Sequence, residues 1–368
     1  MIEFGMQTRR EFVSRAAAMA AWGLHASTGS ENPFARKGRS PFPVELPDDP
    51  SPGEIASLKR RWGFWMDAPE GYAFQKEYRL VRKYSYSQYD AELYLQRNGP
   101  EEWQWQRVLK VFPKKIDKPL AAVGIPYYHV EGMLGHELDD ESKVLDKYVE
   151  VAQAAHLARR GYMAIVCDLS HQNYVRYDNP PSRDYWRRFQ DMAYRLAEDW
   201  PMWNPHSHRV FVTRLMLDLL EDDPRVDKAR IGMTGHSLGG QTCYHAGCLD
   251  SRVKAIMASD FAFNFDQSCW DVLHYLAGRL RAIRADGLEN YTMLTLSGGK
   301  PFCLLAGYYD DARSYTDMIK AKGYRSNPEK LLFVHHAVGH RAPQWALEEG
   351  YAFLDRHLGV APEVRLCT

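Results

Sequence analysis

The stretch Ala229-Arg-Ile-Gly-Met-Thr-Gly235-His236-Ser237-Leu238-Gly239-Gly240-Gln-Thr-Cys-Tyr-His-Ala-Gly-Cys-Leu249 decides how this chain folds. Its first six residues read as a short apolar strand, and the small residues from Gly240 onward read as a helix. Between them stands Gly235-x-Ser237-x-Gly239, with serine at the apex of a tight strand-to-helix turn. A serine so placed is held in a strained backbone conformation. A side chain two residues away on either side would strike the neighbouring strand or helix, which is why glycine flanks it. The bare pattern carries little weight, because about one chain in ten of this length contains it by chance. The rest of the chain has to give it meaning.

Working outward, residues 209–221 read as a helix, with Val212, Leu215, Met216 and Leu219 at i, i+3, i+4 and i+7. Pro119-Leu-Ala-Ala-Val-Gly-Ile-Pro126 and Tyr162-Met-Ala-Ile-Val-Cys167 are continuous apolar runs, as in strands buried on both faces of a parallel sheet. A helix is expected between them over 142–160. Beyond the elbow, strands are expected at 253–258, 301–306 and 331–334, with a closing helix over 342–358. Upstream, 79–86, 91–95 and 106–112 alternate apolar and polar residues, as an antiparallel lead-in with one wet face does. Alternating strands and helices of this kind specify an α/β domain over 78–368, with a mostly parallel central sheet and helices on both faces. Residues 171–208 interrupt it with a polar, aromatic, cap-like insertion containing Tyr174, Tyr177, Tyr185, Trp186, Trp200 and Trp203.

The composition excludes some functions. Lys+Arg and Asp+Glu are both 47 of 368 residues, so the basic excess of a nucleic-acid binder is missing. No apolar run reaches eighteen residues, so no membrane span is indicated. Thr8-Arg9-Arg10-Glu11-Phe12-Val13 followed by an alanine-rich stretch resembles a bacterial twin-arginine export signal over residues 1–30. A periplasmic or secreted location follows from that reading, a cytoplasmic one from the alternative that this stretch is a basic helix of the fold. Residues 31–77, rich in proline and charge, read as an arm or linker on the domain surface. The 6 cysteines lack zinc-ligand spacing and read mostly as small buried hydrophobes.

Functional groups gather at the carboxyl ends of parallel strands. A serine hydroxyl there needs a base within hydrogen-bond reach, itself oriented by a carboxylate. Asp310, three residues past Gly307 and just beyond a buried strand, is the first candidate acid, with Asp311 and Asp260 as alternatives. His340, which follows a glycine in the loop after the last strand, is the candidate base. His335 and His336 continue that strand and are expected to be packed. A metal site from these three histidines is disfavoured, because adjacent strand residues face opposite ways and no acidic ligand accompanies them. Leu238 is expected to give one backbone N–H to an oxyanion hole, and Tyr127 or Tyr128 the second. His236, Trp186 and Trp203 are candidate substrate contacts.

The segments Val226-Asp-Lys-Ala-Arg-Ile-Gly232 and Leu249-Asp-Ser-Arg-Val-Lys-Ala255, on either side of the elbow, resemble the dienelactone-hydrolase-like and acetyl-xylan-esterase-like branch of the α/β-hydrolases. The likeness runs from about residue 80 to 358, with Gly307-x-x-Asp310 and Gly339-His340 in the matching places. It implies an α/β-hydrolase fold, a Ser-His-Asp triad in the chain order serine, acid, histidine, and cofactor-free hydrolysis of esters, often acyl groups on carbohydrates. Some hydrolases of that fold take the acid from the position of Asp260. The chain departs from the group in reading Pro126-Tyr-Tyr-His129 where many relatives carry His-Gly, which leaves the second oxyanion donor and the substrate open. Three other functions share the elbow: a prolyl-oligopeptidase-like peptidase, a transacylase, and a non-catalytic hydrolase-fold binding protein. The partner expected on this reading is a small-molecule or carbohydrate ester.

Overall fold

The continuous apolar runs form the middle of the sheet, and the alternating ones form its flank. The computed structural model describes residues 38–39, 45–177, 185–268 and 270–361. The export signal expected over residues 1–30 lies outside them. The strands, in chain order, are β1 (Gly38–Arg39), β2 (Tyr78–Ser85), β3 (Tyr89–Arg97), β4 (Trp105–Pro113), β5 (Leu120–Tyr127), β6 (His136–Glu137), β7 (Asp140–Val144), β8 (Met163–Asp168), β9 (Val226–His236), β10 (Val253–Ser259), β11 (Phe302–Ala306) and β12 (Leu331–His335). The helices are α1 (Pro52–Met66), α2 (Gln153–Arg159), α3 (Trp186–Asp199), α4 (Pro205–Met216), α5 (Asp218–Glu221), α6 (Leu238–Leu249), α7 (Leu280–Ala285), α8 (Asn290–Leu296), α9 (Ala312–Met318) and α10 (Gln344–Leu358).

Ten strands make one sheet in the order β1-β12-β11-β10-β9-β5-β8-β4-β3-β2. The six from β12 to β8 run parallel, and β4, β3 and β2 continue the sheet antiparallel. Strand periodicity assigns the side chains to two cores. Along β5, Val123 and Ile125 face α2 and α10, in the core holding Leu157, Leu347 and Leu354. Ala122 faces the other way, into the core that takes Trp62 of α1, Val210 of α4, Tyr244 of α6 and Met293 of α8. The α/β class, the mostly parallel sheet and the helices on both faces are as the sequence implies. Among the described residues, no helix is long and apolar enough to cross a membrane. Cys167, Cys243 and Cys248 are buried and unbridged, and Cys303 is buried.

Three segments differ from the sequence reading. The helix expected over 142–160 is shorter: β6 and β7 form a hairpin, and only Gln153–Arg159 is α-helical. Asp140 Oδ1 accepts from the backbone N–H and the hydroxyl of Ser142, at 3.1 and 2.6 Å, and such local bonds compete with a helix. The helix before the elbow starts earlier, at Pro205, where Asn204 caps Ser207 N–H at 2.9 Å and proline occupies the first turn. In the stretch read as a surface arm, α1 has Leu58, Trp62, Trp65 and Met66 buried, and Trp62 Nε1 donates to Thr292 Oγ1 at 3.0 Å. That helix is part of the core.

Candidate active site

Ser237 sits between β9 and α6 with φ 58° and ψ −123°. A non-glycine residue in that region stores roughly 1–3 kcal/mol of strain, held here by the packing around it. Its N–H donates to Ser259 O at 2.9 Å, which fixes the turn to the end of β10. A Cβ on Gly235 would lie 2.3 Å from the carbonyl oxygen of Gly239, and one on Gly239 would lie 2.3 Å from that of Pro126. Both contacts are with backbone, so neither glycine tolerates a side chain. The turn thereby seats the serine against the end of β5, which closes on Tyr127 and is followed by Tyr128.

The Ser237 hydroxyl is 2.8 Å from His340 Nε2, and His340 Nδ1 is 2.6 Å from Asp260 Oδ2. The structure therefore brings together the expected serine and histidine, but the carboxylate facing the imidazole is Asp260 and not Asp310. Backbone donors explain the exchange. Asp260, itself at φ 40°, accepts from the N–H groups of Gly307, Tyr308, Tyr309 and Asp310, at 3.2, 3.0, 2.6 and 3.1 Å, and keeps Oδ2 turned to the histidine. Asp310 points the other way. It accepts from the N–H groups of Phe261, Ala262 and Phe263, at 2.8, 3.1 and 2.6 Å, and from Ser314 Oγ at 2.6 Å. Each aspartate thus binds the loop that carries the other. Burial, and then the charge of Asp260, push the Asp310 carboxyl up to about 7 against those donors. Asp311 caps α9, accepting from Arg313 N–H at 2.7 Å.

His335 and His336 are buried and away from Ser237. His335 stacks on Phe333, and His336 N–H continues the strand pairing to Ala306 O at 3.0 Å. His236 lies behind the site, its ring centroid 4.6 Å from that of His340 and its Nδ1 3.3 Å from Ser259 Oγ. Burial, and then the charge of His340 when protonated, pull His236 well below the ordinary histidine value. It supports the imidazole and does not line the cavity. Among the described residues, no group of three or more histidine, cysteine or acidic side chains is placed to hold a metal ion.

A cavity of about 190 Å³ opens at Ser237 and is walled by Tyr128, Trp186, Leu238, Gln241, Tyr275 and Tyr309. This is small beside the roughly 300–1,000 Å³ of drug-sized ligand pockets, so it suits a compact group at the reacting end of a ligand. The Tyr128 phenol lies beside the Ser237 hydroxyl, and burial keeps it protonated as a donor. Tyr309 meets the His340 ring edge-on, at 4.9 Å and 86°. Trp186 stands half-exposed at the cavity. Trp203 does not reach it, being packed under Tyr72 at 4.8 Å and against His208 and Phe211. Of the insertion aromatics, Tyr174 and Tyr177 donate to Asp199 and Asp191, while Tyr185 backs Tyr128 at 4.6 Å. The sequence reading missed Gln241, Tyr275 and Tyr309. Gln241 was recoverable, since it lies one helical turn past the serine, where a side chain rises beside the apex.

The profile of the dienelactone hydrolase family matches residues 146–259, about a third of the chain, and ends one residue before Asp260. No curated protein matches the sequence. Solved structures do. A glucuronoyl esterase from Solibacter usitatus superposes with a TM-score of 0.62 at 11% identity, over 85% of this chain and 99% of its own. A glucuronoyl esterase from Teredinibacter turnerae gives 0.61 at 14% identity, over 94% and 99%. An acetyl xylan esterase from Paenibacillus gives 0.50 at 15% identity, over 85% and 96%. At these identities the likeness is one of fold.

Proposed function

The chain has the α/β-hydrolase fold, and from that premise we propose that it is a serine esterase working through Ser237, His340 and Asp260. One observation carries the reading: the unbroken hydrogen-bond chain from the Ser237 hydroxyl through both nitrogens of His340 to the buried Asp260 carboxylate. His340 takes the hydroxyl proton as Ser237 Oγ attacks an ester carbonyl. Asp260 holds the imidazole in the tautomer that leaves Nε2 free to accept, and it stabilises the imidazolium that forms. The developing oxyanion is met by the N–H of Leu238 at the start of α6 and by the Tyr127–Tyr128 segment, where the protonated Tyr128 phenol adds a donor that a His-Gly loop would lack. His340 then returns the proton to the leaving alcohol, and a water activated by the same imidazole releases the acyl group from Ser237.

Acyl or uronoyl esters on carbohydrates are the substrate class suggested by the likeness to glucuronoyl and acetyl xylan esterases. A water-facing Trp186 beside the cavity offers a flat surface for a sugar ring. A periplasmic or secreted location is proposed on the residues 8–13 alone. The test is turnover of short-chain aryl esters, acetylated sugars and glucuronoyl esters by wild type and Ser237→Ala. We expect Ser237→Ala to lose several orders of magnitude in kcat/KM with its thermal unfolding unchanged. Activity retained in that variant would end the assignment.

A further inference from the structure

The chain reads Pro126-Tyr-Tyr-His-Val-Glu131 where it leaves β5 beside Ser237, with no glycine before Gly132. Residue type does not fix the path of such a segment, so its ties must. Tyr127 pairs with Asp168 at the ends of β5 and β8, and its carbonyl accepts from Leu169 N–H at 3.0 Å. Gln172 Nε2 donates to the Tyr128 carbonyl at 2.9 Å. Beyond these, the segment is held by one largely buried ionic cluster. Asp168, 1% exposed, accepts the N–H of Val130 on Oδ1 at 2.9 Å. Arg107 of β4 donates to the same carboxylate through Nε and Nη2, at 2.6 and 3.2 Å. The other side of its guanidinium donates to Glu131, Nη2 to Oε2 at 3.0 Å and Nη1 to Oε1. His129 Nδ1 lies 3.2 Å from Glu131 Oε2.

Stability alone does not explain this cluster. Taking an arginine and two carboxylates out of water is costly, and well-packed apolar side chains often serve a core as well or better. What the guanidinium fork adds is direction, because planar bidentate bonds fix both carboxylates in orientation as well as distance. An oxyanion hole needs that. Its donors must be held within about 0.5 Å of the productive position before charge develops. The cluster grips the chain at Val130 and Glu131, two and three residues past Tyr128, while Arg107 itself stays out of the cavity wall.

We propose that Arg107 is a positioning residue for the oxyanion hole: through Asp168 and Glu131 it locks the Tyr127–Tyr128 segment against Ser237 without touching the substrate. Its contribution then falls on kcat and not on binding. The inference rests on the ester-hydrolase reading above.

The test uses Arg107→Lys, which keeps the charge and loses the fork, and Glu131→Gln, which loosens only the end of the clamp on the segment. Arg160→Lys is the control, since Arg160 forks in the same way onto Glu348 and Asp355 of α10. Each is assayed on p-nitrophenyl acetate and on its thiono analogue, whose sulfur accepts hydrogen bonds poorly. Wild type should favour the oxygen ester. Arg107→Lys and Glu131→Gln should lower kcat about 10–100-fold with KM little changed, and the oxygen-over-sulfur ratio should shrink with kcat. Arg160→Lys should lower Tm and leave kcat and the ratio as in wild type. A fall in kcat with the ratio unchanged overturns the proposal and leaves Arg107 merely structural. Wild-type kcat in Arg107→Lys and Glu131→Gln overturns it too, as does a wild type indifferent to the exchange of oxygen for sulfur. Should Arg107→Lys fail to fold, Glu131→Gln decides alone. Ester turnover undiminished in Ser237→Ala instead removes the reading on which both stand.

Discussion

Two aspartates fifty residues apart share one small region and divide its work by where their backbone donors point. Asp260 and Asp310 each stand just past a strand that ends at the site, so pattern alone could not rank them. What separates them is the backbone of the 260–263 and 307–310 loops, with Asp260 and Ala262 at φ 40° and 63°. Positive φ at aspartate and alanine is not written in residue type. Asp260→Asn should lower kcat by about 10⁴, because the amide no longer fixes the working imidazole tautomer. Asp310→Asn should act indirectly. It sets an amide N–H₂ against N–H donors of 261–263, so Tm should fall and kcat should drop about 10–100-fold with KM little changed. Steady-state kinetics beside thermal unfolding decide it, and an Asp310→Asn enzyme weaker than Asp260→Asn would reverse the two roles.

At the scale of elements, the parts legible in the sequence were those governed by a single local rule. The buried runs of β5, β8 and β11, the elbow, and His340 beyond the last strand all follow from burial period or turn chemistry. The failures came where tertiary contact overrode pattern. The Asp140–Val144 strand is exposed and charged and has no apolar period to announce it. Trp203 differs from Trp186 only in which side of the insertion it faces. The elbow glycines make the clearest prediction. Gly239→Ala forces a Cβ into the Pro126 carbonyl and should cost about 3 kcal/mol or more, or prevent folding. Gly53→Ala, in the first turn of α1 with its nearest neighbour at 3.9 Å, should be neutral or slightly stabilising. Urea unfolding of the two variants checks this, and equal midpoints would contradict it.

For the molecule as a whole, the buried histidines set the response to acid. Burial holds His156, His208 and His274 down to about 3, His245 and His336 to about 4, and His171, His206 and His236 well below their ordinary value. Unfolded, each takes a proton near pH 6.5, so their stabilisation is present above that pH and is lost as the pH falls toward 3–4. Each contributes a slope of up to about 1.4 kcal/mol per pH unit. Asp310 works the other way. Its raised carboxyl favours the native state below its unfolded value, and that contribution is lost as pH rises through about 7, offsetting roughly one histidine. Tm should therefore decline steadily from pH 6.5 to 4.5, and a flat profile over that range in calorimetry would refute it.

Helix α1 sets a boundary on how much of the chain ahead of it can be removed. Trp62 fills the main core and ties to Thr292, and the carbonyl of Trp65 accepts from Ser207 Oγ and Asn204 Nδ2 at the start of α4. A peptidase trimming the amino terminus could cut anywhere before Ser51 and leave those ties whole. A cut a few turns later would withdraw a tryptophan from the core and loosen the base of α4, so shortening the chain at one end would be felt in a helix more than a hundred residues away.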